Sequence, residues 1–220
     1  ATEFRRAAAG QGLDALAETG GVLVKSLVNY RSSEIEDMAS SEQRAAEAGG
    51  VIVWDLSHAT GVVDVDVHQA GAKLATGCTY KYLNGGPGAP AFVYASADIA
   101  NSLQTPLPGW MGHARPFAFE AEYAPVVGIG RFANGTPPIL SLAALTGAIE
   151  AFEGADMELV QAKARALGDL VVKRAQDMGC EVVSPLDATR RGGHVSFRHP
   201  DGYPVVQALI ARNILADFRA

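Results

Sequence analysis

The chain has 220 residues, 48% of them hydrophobic, which is enough apolar material for a sizeable core and argues against disorder. Its 18 basic and 24 acidic side chains give a net charge of -6, and no Lys/Arg run follows a helical stretch, so nucleic acid is a poor candidate partner. The apolar runs are strand-sized, the Thr2-Glu3-Phe4-Arg5-Arg6 start lacks a signal-like apolar core, and Cys78 and Cys180 have no metal-type spacing. A soluble cytoplasmic protein with no metal site, no disulfide framework and no membrane partner is therefore expected.

Taken in chain order, Gly21 to Val28 is a predicted buried strand, and Ser33 to Ala48 a predicted helix with an acidic first turn and a Gly49-Gly50 stop. Val51 to Asp55 is a second strand, and after a turn at Gly61 and the stretch Val65 to Ala70 a third runs near Lys73 to Cys78. This β, α, β rhythm predicts an α/β fold with a mainly parallel sheet under helical cover. A glycine and proline cluster follows Lys81, then a strand over Ala91 to Ala95 and a long irregular stretch from Leu103 to Pro138 of the kind that carries function or meets a partner. Ile139 to Phe152 and Asp156 to Met178 are predicted helices, the second long enough to bridge into a smaller unit. Short strands over Glu181 to Ser184 and His194 to Arg198, with a helix at Val205 to Ala211, predict a small α+β C-terminal domain. The expected division is residues 1–153 for part of a large domain, and 154–220 for a linking helix and part of the small one.

Ligands of open parallel sheets bind at the carboxyl edge of the strands, so polar residues just after apolar runs are the candidates for chemistry. In WDLSHATG, Asp55 closes a strand and His58 follows three residues later. Alone, such an Asp is more often a turn former than a ligand, and His58 alone is equally weak. In CTYKYLNGGPGAPAF, Lys81 stands between Tyr80 and Tyr82, ahead of Asn84, Gly85 and Gly86. Most lysines are solvated surface charges. A lysine flanked by aromatics at a strand end, beside glycines that let a bulky group approach, suits an amine that must be neutral part of the time to attack a carbonyl. A nearby aspartate would keep a pyridine nitrogen protonated, the partnership that pyridoxal-phosphate chemistry uses.

With these residues in place, the sequence resembles kynureninase, within the aminotransferase-like (fold type I) pyridoxal-phosphate enzymes. The likeness rests on the strand-Asp55-x-x-His58 motif, Tyr80-Lys81-Tyr82-Leu83-Asn84-Gly85-Gly86-Pro87-Gly88, Pro108 to His113 and Arg131 to Pro138, and softens beyond about Glu153. It implies that Lys81 holds pyridoxal 5'-phosphate through its amine and moves the substrate α-proton, that Asp55 pairs with the pyridinium nitrogen, and that His58 lies beside the ring. It implies further that Tyr80 binds the cofactor phosphate and takes part in proton transfer, and that Trp110 and Asn134 reach the phosphate and substrate region across a homodimer interface. Core packing for Trp110 and a turn for Asn134 are the plainer alternatives. The implied reaction is hydrolysis of kynurenine or 3-hydroxykynurenine to anthranilate or 3-hydroxyanthranilate plus alanine, in tryptophan catabolism.

Relative to that family pattern, the segment supplying a ring-stacking aromatic and phosphate contacts, and the stretch bearing the arginine for the substrate carboxylate, do not appear among these residues. An incomplete family member with little activity is therefore the expectation. The alternatives are another aminotransferase-like enzyme, an aminotransferase or a cysteine desulfurase, or a non-catalytic piece of one. A desulfurase needs a mobile, activated cysteine, which neither Cys78 in a strand nor Cys180 at a helix end supplies well.

Overall fold

The computed structural model describes residues 5–7 and 10–219. The Thr2 to Phe4 part of the start considered above lies outside these residues.

Four strands form one sheet in the order β1-β2-β3-β4: β1 (Gly21–Ser26), β2 (Gly50–Asp55), β3 (Leu74–Cys78) and β4 (Ala91–Ala95). The first three are parallel, as the sequence rhythm predicts, but β4 pairs antiparallel with β3. The reason lies in the connection. The return from Cys78 to Ala91 contains no helix, and a parallel return needs a crossover, usually helical, whereas a tight return does not.

Two helices cover one side of β1 and β2. The first, α1 (Gly12–Thr19), has no counterpart among the predicted elements and buries Leu13 and Leu16. The second, α2 (Met38–Glu47), begins five residues later than Ser33, the start its helix formers suggest. Tertiary pairing overrides propensity there: Ser33 is wholly buried with φ +64°, Ile35 bridges to Val28, and Glu34 bridges to Arg191 far along the chain. The helix then starts where Asp37 can cap it, its carboxylate accepting from the Ser40 N–H at 2.9 Å.

Between sheet and helices lies a core that includes Ile52, Trp54, Leu56, Ala59, Val28 and Met38. Trp54 is fully buried, and its indole N–H donates to Glu42 on α2 at 2.7 Å. Burial pushes the Glu42 carboxyl above its usual range, with the indole bond acting against that rise. Trp54→Phe keeps most of the packed volume but removes the donor from a carboxylate held in a partly dry place. It is expected to lower stability by about 1–3 kcal/mol, read as a lower urea midpoint with unchanged slope.

Beyond β4 come α3 (Ala97–Ala100) and the predicted irregular stretch, relieved only by single turns of 3-10 helix at Trp110–Gly112 and Gly128–Phe132. Then α4 (Ile139–Glu150) and α5 (Met157–Asp177) follow close to their expected bounds. The C-terminal unit contains β5 (Glu181–Val182), β6 (Phe197–Arg198) and α6 (Gly202–Ile210), with the two strands antiparallel. These strands are shorter than the sequence suggests because Val183 and Ser184 both donate to the Ser196 carbonyl, at 2.8 and 3.2 Å, so two residues oppose one and regular pairing stops. No helix among the described residues is long and apolar enough to cross a membrane.

Candidate functional site

The parallel register aligns Ser26 and Asp55, the last residues of β1 and β2, with Thr76 in the middle of β3. Asp55 is half-buried there. Its carboxylate accepts from the Ser57 N–H at 2.9 Å and from the Ser26 hydroxyl at 3.2 Å. Burial by itself would raise its pKa, but the bonds from Ser57 and Ser26 and the nearby His58 together hold the carboxyl below its usual range. An ionised acceptor is thus fixed at the strand end where ligands of such sheets bind.

Three residues on, His58 lies half-buried in the loop that leaves β2. Its pKa is lowered by burial first, then by the charges of Lys81 and His194, with Asp55 opposing and Arg219 contributing in the same lowering sense. Asp55 and Lys81 thus both lie within electrostatic reach of His58, although they follow two different strands. Lys81 follows β3 on a bend, with its Nζ 5.1 Å from the centre of the Tyr80 ring. Tyr80 itself is exposed, and Lys81 is half-buried with its ammonium over that ring.

Just past Lys81 the backbone folds back on itself. Asn84 adopts φ +58°, its N–H donates to the Lys81 carbonyl at 3.0 Å, and the Gly85 N–H donates to the Thr79 carbonyl at 2.9 Å. A Cβ on Gly85 would lie 2.9 Å from that same carbonyl, so the close turn requires a glycine. The glycine cluster noticed in the sequence therefore clamps the loop that carries Lys81.

Trp110 and Asn134 form a second group. A Cβ on Gly109 would lie 1.7 Å from the Asn134 carbonyl oxygen, so the two loops press backbone to backbone. The Trp110 indole meets Phe117 edge-on at 5.7 Å between ring centres. Both Trp110 and Asn134 are exposed, as are Leu107, Phe117 and Phe119, so core packing does not account for Trp110. This group makes no recorded hydrogen bond, ion pair or ring contact with Asp55, His58 or Lys81 among the described residues. Gly109→Ala is expected to separate the two loops and lower stability by about 1–3 kcal/mol, a fall in melting temperature of roughly 2–4 °C per kcal/mol for a chain of this size.

One residue at the first site was not singled out in the sequence: His194, whose ring centre is 5.8 Å from that of His58. Its signal was faint, since a His after Gly192-Gly193 in a short C-terminal strand carries no motif. Of the two cysteines, one borders this site. Cys78 is half-buried in β3 with its thiol 3.8 Å from the Ser57 carbonyl, and Cys180 follows α5. No cluster of His, Cys, Asp or Glu suited to a metal ion occurs among the described residues.

Comparison with known proteins gives this geometry a family context. Residues 160–220 match the model of the kynureninase C-terminal domain. A kynureninase from Pseudomonas fluorescens is 43% identical over 209 residues, 93% of this chain and 50% of that protein. One from Burkholderia mallei (strain SAVP1) is 42% identical over 210 residues, 94% of this chain and again 50% of the relative. The chain thus spans about half the length of the curated relatives it matches. Among solved structures, the apo cysteine desulfurase of Thermococcus onnurineus NA1 superposes with a TM-score of 0.78 at 18% identity, over 92% of this chain and 50% of that one. An alanine–glyoxylate aminotransferase from Nostoc sp. superposes with a TM-score of 0.67 at 17% identity, over 94% of this chain and 55% of that one. At those identities the structural likeness establishes the fold alone, an aminotransferase-like sheet with a small C-terminal α+β unit. Over 93–94% of its length, the chain is similar to the kynureninases, and its fold is of the aminotransferase-like kind.

Proposed function

We propose that the chain belongs to a kynureninase that hydrolyses kynurenine or 3-hydroxykynurenine to the corresponding anthranilate and alanine, using pyridoxal 5'-phosphate held at Lys81. What supports this is the placement of Asp55 at the carboxyl end of β2 and of Lys81 just past that of β3, both within electrostatic reach of His58, in a chain 43% identical to a kynureninase over 93% of its own length.

The residues present fit that cofactor. Asp55 offers an ionised carboxylate with hydrogen bonds that fix its direction, suited to a protonated pyridine nitrogen. Lys81 offers an amine over the Tyr80 ring, on a loop fixed by the glycine turn that follows it. When bound, pyridoxal phosphate supplies an electron sink for chemistry at the substrate α-carbon. Asp55 would hold the proton on the ring nitrogen and so sustain the sink. Lys81 would hold the cofactor and move the α-proton at Nζ, and Tyr80, whose ring lies against that ammonium, would bind the phosphate and share in the transfer. His58, whose pKa is lowered by burial and by the charge of Lys81, would lie beside the ring.

Trp110 and Asn134 belong to this proposal through a second copy of the chain. They lie on an exposed surface that also carries Leu107, Phe117 and Phe119, and apolar surface of that kind favours association. In a homodimer with shared sites, each copy's Trp110 and Asn134 would meet the other copy's cofactor phosphate and substrate. Residues 1–153 are proposed as part of the large cofactor-binding domain and 154–220 as the linking helix and part of the small domain. With no membrane-crossing helix among the described residues, the cytoplasm is the proposed location.

The test is to load the chain with pyridoxal phosphate, reduce with borohydride, map the labelled peptide, and in parallel follow anthranilate fluorescence from kynurenine with and without an added keto acid. Label on Lys81 is expected, and such anthranilate release as the chain supports, small by the expectation above, is expected to be independent of keto acid. Turnover that needs a keto acid and yields no anthranilate points instead to an aminotransferase, and overturns the proposal.

A further inference from the structure

The segment Arg191-Gly192-Gly193-His194 runs from the C-terminal unit directly into the first site, and it is tightly held along the way. Arg191 is almost wholly buried. Its guanidinium donates to the Pro185 carbonyl at 2.9 Å and to the Arg165 carbonyl at 3.4 Å, and pairs with Asp169 on α5. The Gly192 N–H donates to the Ser33 carbonyl at 2.7 Å, and the His194 N–H lies 3.4 Å from the Ser33 hydroxyl oxygen.

Neither glycine can be anything larger without displacing a neighbour. A Cβ on Gly192 would lie 2.8 Å from a Val28 methyl, and one on Gly193 would lie 2.8 Å from Val62 and 2.9 Å from the Tyr82 ring. This close passage between the β1 exit and the Tyr82 loop delivers the His194 ring to His58, at 5.8 Å between centres and a 53° tilt.

His194 is an unusual neighbour. Both of its ring nitrogens are closed to solvent and lack a hydrogen-bond partner. A Tyr30 backbone group lies near enough to favour the protonated ring but outside hydrogen-bond geometry to either nitrogen, and burial, the larger effect, lowers the pKa. Leaving polar atoms unpaired in this way is costly, so the position is not explained by the stability of the C-terminal unit alone.

We propose that His194 is a positioning residue for His58: its ring, carried in by Gly192 and Gly193, fixes the plane of the His58 imidazole beside Lys81 and shields it from water. The proposal rests on the site assignment above, and it makes the C-terminal unit a structural part of that site. Besides His194, the charged groups acting on His58 are Lys81, Asp55 and Arg219, so loss of His194 leaves the other influences in place. Its shielding and its own positive form both lower the His58 pKa, hence removing the ring is expected to raise it.

The experiment is to record long-range proton–nitrogen spectra of the five imidazoles in the cofactor-free chain across pH, with His58→Gln to assign the His58 signals. In the parent chain His58 is expected to titrate below the ordinary histidine range with one tautomer dominant. In His194→Ala its midpoint is expected to rise towards the ordinary value, with the two tautomers averaging. His194→Phe retains ring cover without a titrating group, so His58 is expected to stay low and keep one tautomer. Should the alanine variant not fold, His194→Asn, which removes the ring and its charge but keeps a polar side chain, carries the same expectation of a raised His58 midpoint. An unmoved His58 in His194→Ala, or an equal rise in His194→Phe, overturns the proposal. Because no cofactor is present, these outcomes are separate from the Lys81 labelling, whose failure would remove the functional proposal and leave the contact between the two histidines to be judged on its own.

Discussion

Lys81→Ala is expected to abolish borohydride-fixed cofactor and to lower anthranilate release by at least about 10³-fold. Two contributions go with the side chain: the covalent hold on the cofactor, and the proton carrier at the substrate α-carbon, where positioned proton transfer alone is worth about 10²–10⁴-fold. The surroundings support a local effect. The Lys81 ammonium lies over the Tyr80 ring and its charge lowers the pKa of His58, so alanine relieves a like-charge interaction rather than breaking an ion pair in the core. Thermal unfolding is accordingly expected to change little while the labelling disappears, and His58 should titrate higher. Peptide mapping after reduction is the direct check, and retained label on another lysine would refute the assignment. Lys81→Arg would not rescue it, since a guanidinium stays protonated and cannot serve as the amine nucleophile.

Asp55→Asn is expected to permit cofactor binding but to slow exchange of the substrate α-proton by about 30- to 5,000-fold, the equivalent of about 2–5 kcal/mol for losing one side of a buried charge pair. The amide oxygen can still accept from the Ser57 N–H, while its NH2 stands where Oδ2 accepted and donates to the Ser26 hydroxyl oxygen instead, so the strand end keeps its shape while the negative charge goes. Proton–deuterium exchange at the α-carbon followed by NMR separates this from simple loss of binding. Unchanged exchange would remove Asp55 from its proposed role.

The pH behaviour has a definite sign. Because the folded pKa of Asp55 is depressed, its contribution to stability is fully present above the unfolded carboxyl value and is lost as pH falls through the lowered folded value. Asp55 therefore stays ionised through neutrality, and any loss of activity between pH 5 and pH 8 must come from another group. A shallower acid-unfolding limb in Asp55→Asn is the corresponding stability result.

Much of this was legible from the chain alone, for identifiable reasons. Apolar runs bounded by polar residues gave β2 and β3 almost to the residue, because a buried parallel strand leaves a continuous apolar stretch and Asp55 ends it. The tight turn after Lys81 was legible because its glycine neighbours are local in sequence, and the structure keeps them as a local turn.

Tertiary structure decided what depends on residues far apart. Ser33 to Ile35 have helix-compatible neighbours, yet pairing with Val28 and with Arg190 and Arg191 draws them out of α2. The direction of β4 followed from a return too tight for a crossover, which alternation of apolar residues does not encode. His194 is 136 residues from His58 and carries no periodic or motif signal, so only the passage of Gly192 and Gly193 between Val28, Val62 and Tyr82 brings the two rings together. Sequence determines where a strand ends and what chemistry waits there, since those are short-range properties of burial and hydrogen bonding; which distant side chain backs that chemistry is set by packing, which exists only once the chain has closed on itself.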